Sequence, residues 1–232
     1  MENQFEEKLQ LWLEKVVEQC NTLGEKINLD YYPFQCAKSS LKKNVDLLII
    51  GANPGGQNPF KKRNTEQLFN SVDGINNAYI GEANNDRWKI NKPILEIFKE
   101  PKLYSVLEKA IVMNTVYFGT VKAIDLSTRK EAIECCKELT KEFIYEIIRP
   151  KTVLILGLKN APNWLGIKYS TTTDSILRTT NNLTGLVMKV NHNNIPHYII
   201  HHTSMNFKFN SGENLDLKRE IFQKEFETIL KF

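Results

Sequence analysis

N-V-D-L-L-I-I-G-A-N-P-G-G-Q, Asn44 to Gln57, is the stretch on which the fold turns. Its first half, Asn44 to Ile50, is a short apolar run that stops at Gly51, the pattern of a strand buried on both faces. Its second half is a turn rich in glycine and proline. Glycine permits close backbone approach and positive φ, and Pro54 fixes the turn and holds Asn53 at the strand end. The same kind of run recurs at Ala110–Asn114 (A-I-V-M-N), Thr152–Gly157 (T-V-L-I-L-G), Leu186–Val190 and His197–His202.

Helical periodicity lies between and around these runs. Phe5, Leu9, Trp12, Leu13, Val16, Val17 and Cys20 recur every three or four residues and form one apolar stripe. Pro93 to Lys109 predicts one or two short helices. Thr128 is placed to cap a helix running to Ile148, with Arg149-Pro150 as its stop, and Leu215 to Leu230 predicts a closing amphipathic helix. Strands alternating with helices predict an α/β fold, a three-layer αβα architecture around a mostly parallel sheet. The expected organisation is one domain over residues 1–232, with helices over residues 3–20 and 213–231 packed on it. The Asn-rich stretch from Gln57 to Lys92, with a turn signal at Asp73-Gly74, predicts a long excursion with at most short helices.

Hydrophobic residues at 41% and charged residues at 25% supply a core and exclude a disordered chain. Lys and Arg number 31 against 27 Asp and Glu, a net +4 that permits an anionic partner without requiring one. There is no apolar run of about 18 residues, and Met1 to Leu9 is acidic and amphipathic, so a soluble intracellular protein is expected. Cys20, Cys36, Cys135 and Cys136 form no C-x-x-C pair and are expected to be reduced thiols.

In a sheet of this kind ligands bind beyond the carboxyl ends of the strands. The Gly51 loop, the Asn114–Gly119 segment and the His202–Phe209 segment are expected to share that rim. Gly51 and Gly56 have the spacing of a phosphate loop, but Gln57 and Asn58 stand where Lys and Ser or Thr are needed, which argues against triphosphate hydrolysis. Asparagine is common here, 24 residues of 232, so no single Asn means much. The signal is Asn53, Asn114 and His202 each ending a different predicted strand. His197, His201 and His202 do not read as a metal site, because four residues of strand span about 13 Å and neighbours face opposite sides. Trp88 and Trp164 sit in polar contexts, where ordinary packing is the simpler reading of both.

On these motifs the sequence resembles the uracil-DNA glycosylase superfamily. Gly51, Ala52, Asn53, Pro54 and Gly55 match the first family motif, G-x-N-P-G, of its mismatch-specific and single-strand-selective branches. His202 and Ser204 match part of the second, which begins H-P-S, so the resemblance is nearest the single-strand-selective branch. The likeness is coarse over residues 45–210 and specific only at three strand ends.

The resemblance implies a monofunctional glycosylase that hydrolyses the N-glycosidic bond of uracil or a damaged pyrimidine in DNA. Asn53 would position the attacking water, and His202 would hydrogen-bond the uracil O2 as the bond breaks. Asn114 would read N3–H and O4, a pattern cytosine cannot satisfy. Gly51, Ala52, Pro54 and Gly55 would shape the pocket, and Phe60 would stack on the extruded base, with Tyr117 and Phe118 as alternatives. Lys61, Lys62, Arg63 and Lys208 would hold phosphates, with Ser204, Asn206 and Phe207 also against the DNA.

Two departures bear on this. Thr203 replaces the usual proline, and Met205, Asn206, Phe207 and Lys208 stand where the wedge carries an arginine. Phe207 or Met205 would be the apolar wedge instead. The branches with an iron-sulfur cluster supply four suitably spaced cysteines and this chain does not, so no cluster, metal or other cofactor is expected. The expected partner is single- or double-stranded DNA, with no membrane and no obligate protein. A non-catalytic binder of nucleic acid or nucleobase on the same scaffold is the alternative reading, and a nucleotide-handling transferase using the Gly51 loop is a weaker third.

Overall fold

The computed structural model describes residues 2–69, 77–81, 91–121, 123–126, 128–179, 181–203 and 207–230. In chain order its elements are α1 (Glu2–Ile27), β1 (Leu48–Gly51), α2 (Ala78–Gly81), α3 (Asn91–Ile97), α4 (Pro101–Glu108), β2 (Ile111–Asn114) and α5 (Lys130–Glu142). They continue with β3 (Val153–Leu156), α6 (Asn160–Leu165), β4 (Ser175–Arg178), β5 (Gly185–His192), β6 (Ile195–Ile200) and α7 (Gly212–Leu230).

The sheet has six strands in the order β2-β1-β3-β6-β5-β4. The first four run parallel, and β5 and β4 are antiparallel additions on one side. The predicted three-layer αβα architecture with a mostly parallel sheet is the one observed. Burial on both faces explains the unbroken apolar runs: Leu48, Ile49 and Ile50 of β1 and all four residues of β3 are buried.

On one face α1 and α5 pack together, where Trp12 donates Nε1–H to the Leu139 carbonyl at 3.0 Å and its ring lies tilted 4.5 Å from that of Phe143. On the other face α7 sets Phe222 and Phe226 against Tyr198 of β6 and Phe98. The buried apolar side chains of both layers form one cluster.

Several boundaries differ from expectation. α1 runs seven residues beyond Cys20, because Leu23 is buried and the chain turns only at Asn28, whose φ is 49°. Thr128 does not cap α5; Arg129 occupies the cap position without a side-chain bond. The helical path widens to a π-helix over Phe143–Ile148, in which Arg149 N–H reaches the Ile144 carbonyl at 2.9 Å. Arg149 then takes a left-handed φ of 51° and ends the helix before Pro150, as the sequence implies. β4 was not anticipated. The turn expected at Asp73-Gly74 and Trp88 lie outside the described residues.

Candidate functional site

The carboxyl ends of β2, β1, β3 and β6 form one rim. Gly51 pairs with Asn114 in the β1–β2 register, and the pairing continues past both strands. Thr115 N–H donates to Gly51 O at 2.9 Å, Val116 N–H to Ala52 O at 2.9 Å and Thr120 N–H to Pro54 O at 3.3 Å. Farther out, a Cβ on Gly119 would stand 2.7 Å from Gly56 O, so only glycine lets the two segments approach there. The G-A-N-P loop and residues 114–120 are thus one rigid unit, and the sequence expectation that Asn53 and Asn114 share a rim is met.

Within that unit the two amides are held differently. Asn53 donates from Nδ2 to Thr120 Oγ1 at 2.9 Å and to Pro54 O at 3.0 Å. With both N–H groups spent on the protein, the carboxamide oxygen Oδ1 is the part left to accept a proton donor. Asn114 is 4% exposed, and its Nδ2 has no hydrogen-bond partner. Its Oδ1 lies 3.1 Å from where a Gly51 Cβ would stand, so glycine at 51 makes room for this side chain.

His202 follows β6 by two residues. Its Cβ and Cδ2 lie 3.9 Å from where a Gly157 Cβ would stand, so the ring rests over the end of β3, the strand between β6 and β1. Strand spacing puts β6 about 10 Å from β1, and this placement shortens that gap from the His202 side. Burial lowers the His202 pKa and favours the neutral ring. Next to it Thr203 is 4% exposed, and its hydroxyl, like the Asn114 amide, lacks a partner. Among the described residues these are the two buried side-chain atoms left unsatisfied.

The other histidines face elsewhere. His201 Nε2 pairs with Gly185 O at 3.1 Å, and its ring lies 4.3 Å from that of Phe209. His197 sits back along β6, with Nδ1 at 2.8 Å from Ile195 O and Nε2 at 3.2 Å from Tyr145 OH. Among the described residues no three His, Cys, Asp or Glu are grouped as metal ligands, and the four cysteines are free thiols.

Of the residues expected to touch DNA, Lys61, Lys62 and Lys208 are exposed. Arg63 requires a correction, because its guanidinium is committed inside the protein. Nε and Nη2 bind the two carboxylate oxygens of Asp30 at 2.9 and 2.7 Å, and Nη1 binds Gln67 O at 3.0 Å. The ring of Tyr32 lies 4.3 Å beneath, and Tyr32 OH donates to Asp30 at 2.5 Å. Burial pushes the Asp30 carboxyl up, but the bonds from Arg63, Tyr32 and the Tyr31 N–H outweigh it and hold it below its ordinary value. Arg63 is therefore the clasp that fastens residues 58–63 to residues 28–32.

Tyr117 and Phe118 are also corrected as stacking candidates. Both are fully buried: Tyr117 OH accepts from Thr140 Oγ1 at 2.9 Å, and the Phe118 ring lies 5.9 Å from that of Tyr31. Phe60 is half-buried, with one edge of its ring on Gly24 of α1. Ser204, Asn206 and Met205 lie outside the described residues, as does the side chain of Phe207. Sequence reasoning missed Thr120, since its role depends on a contact between segments 67 residues apart.

The arrangement offers one acceptor fixed by its own amide bonds, two buried polar groups without partners and a neutral imidazole. Groups of this kind can bond to a polar ligand that carries carbonyl and N–H groups. No family model matches this chain, and no curated protein matches it.

Proposed function

We propose that this chain is a monofunctional DNA glycosylase that removes uracil or a related pyrimidine, built on a uracil-DNA glycosylase-like scaffold. The observation that carries this reading is the pair of orphaned buried atoms, Asn114 Nδ2 and Thr203 Oγ1, at the rim that Asn53 and His202 share. An unsatisfied buried polar atom costs about 1–3 kcal/mol, and a ligand that bonds to it removes that cost.

In this reading Asn53 Oδ1 accepts a hydrogen bond from a water and aims its oxygen at the sugar C1′. As the C1′–O bond forms, the C1′–N1 bond breaks and its electron pair passes into the pyrimidine ring. The neutral His202 ring donates an N–H to the base oxygen where this charge collects, and no counter-ion is needed for the donor itself. The water proton ends on the departing base. Asn114 Nδ2 donates to a base carbonyl, Phe60 stacks on the ring, and Lys61, Lys62 and Lys208 contact phosphates.

The test is cleavage of uracil-containing single- and double-stranded oligonucleotides at the resulting abasic site. Wild type is expected to release the base, and His202→Ala to do so about 10² to 10³ more slowly. Excision by His202→Ala at the wild-type rate would overturn its assignment. Retention of the oligonucleotide by wild type without abasic sites would replace the enzyme by a binding module on the same scaffold.

A further inference from the structure

The segment behind His202 is tied to α7 by a buried lysine. Lys218 is 0% exposed, and its Nζ donates to Phe209 O at 2.6 Å and to Asn210 Oδ1 at 2.7 Å. Asn210, itself buried, donates in turn from Nδ2 to the main-chain carbonyl of His202 at 3.0 Å. His201 braces the other side, with its ring against Phe209 and its Nε2 on the β5 residue Gly185.

A lysine here is unfavourable for stability taken alone. Among the described residues no carboxylate pairs with it, and burial lowers its pKa to about 7. Methionine, of similar length, would fill the space without desolvating an amine. Both acceptors of Lys218 lie in the one segment that follows His202. The local benefit is therefore the position of that segment.

We propose that Lys218 is a positioning residue which, through Asn210, fixes the His202 main chain and so the placement of the His202 ring over Gly157. The proposal rests on the reading of His202 as the residue that faces the departing base. Loss of the Asn210 bond takes one donor from the His202 carbonyl, and a displacement of about 1 Å at a reacting group can cost up to 10²-fold in rate.

Asn210→Asp separates positioning from folding. The carboxylate keeps an acceptor for Lys218 and gives it a counter-ion, so the thermal midpoint is expected at or above that of wild type. It also removes the donor to His202 and sets an oxygen against the His202 carbonyl. The expected result is a shift of the His202 ring resonances, assigned against His202→Gln, and a fall in excision kcat of about tenfold to 10²-fold with KM within twofold. Lys218→Met is expected to move the same resonances, and if it fails to fold, Asn210→Asp decides alone. Unmoved His202 resonances in the folded variants, or moved resonances with unchanged kcat, overturn the proposal. The resonances need no turnover, so a wild type that releases no base removes the glycosylase reading while the spectra still test the strap.

Discussion

At the amino edge of the sheet a cavity of about 650 Å³ is bordered by Lys15, Glu142, Tyr145, Leu165 and His192, and a second of about 370 Å³ by Asp46, Lys102, Val106 and Lys109. Several polar groups in and around the larger one are paired. Lys15 meets Glu142 at 2.6 Å, Lys141 meets Glu138 at 3.0 Å, and His197 behind it bonds through both ring nitrogens. At the carboxyl rim the relation reverses, because that is where the two unsatisfied buried atoms are found. These two cavities thus lie at one edge and the unmet hydrogen bonding at the other. Open volume at a protein surface costs little, whereas an orphaned buried donor costs stability until something binds it, so the rim is the better guide to a ligand.

The largest expected effect concerns a residue beside the rim that belongs with the satisfied groups. Arg63→Met leaves the Asp30 carboxylate buried and unpaired and should cost about 3–5 kcal/mol in urea unfolding. A loss below 1 kcal/mol would return Arg63 to the surface cations available for phosphate.

Next comes a direct contrast of the edges. Asn53→Ala should lower excision on the order of 10² to 10³, about 2.7–4 kcal/mol, with little change in thermal midpoint. His197→Leu should instead destabilise the chain by about 1–3 kcal/mol, by orphaning Tyr145 OH and Ile195 O, and leave excision within twofold. Loss of excision in a folded His197→Leu would move the functional edge.

A smaller effect has the opposite sign. Asn114→Leu and Thr203→Val each remove an unpartnered buried polar atom, so each should raise unfolding stability by up to about 1–3 kcal/mol while weakening substrate binding. If both variants lose stability, these atoms already have partners in solution and the rim loses its distinction.

The last is a pH slope. Burial lowers the Lys218 pKa from 10.5 to about 7, so the unfolded chain binds one more proton between those values. The stability tied to this group is complete above about 10.5 and is lost as pH falls to about 7. The urea midpoint of wild type should therefore rise from pH 7 to pH 9 relative to that of Lys218→Met. A constant difference between the two would mean that the amine titrates normally.

Much of the scaffold was legible because burial leaves a simple pattern. β1 and β3 lie inside the parallel sheet and β2, though at its edge, is buried along its whole length, so all three read as apolar runs, and α1 declares its inward stripe from Phe5 to Cys20. β4, S-I-L-R, is an edge strand with no fully buried residue, so it lacks both the run and the clean alternation that mark strands. The start of α5 misled because Thr128 has the right chemistry for a cap, but the helix begins one residue too late to use it. At the site, Asn53, Asn114 and His202 were visible as polar residues punctuating strands. The commitment of Arg63 to Asp30, the bond from Asn53 to Thr120 and the Lys218 strap join residues 33, 67 and 8 positions or more apart, and nothing in local spacing announces them.

The backbone ladder that runs on from β1 and β2 to join Gly51–Pro54 with residues 115–120 has a practical corollary. Anyone transplanting the G-A-N-P turn onto another scaffold would have to carry the second segment along, because the turn supplies only one of the two bonds that orient Asn53 and Thr120 supplies the other. Conversely, insertions or tags at either piece should be transmitted to both amides together, while the histidine side can be re-engineered separately.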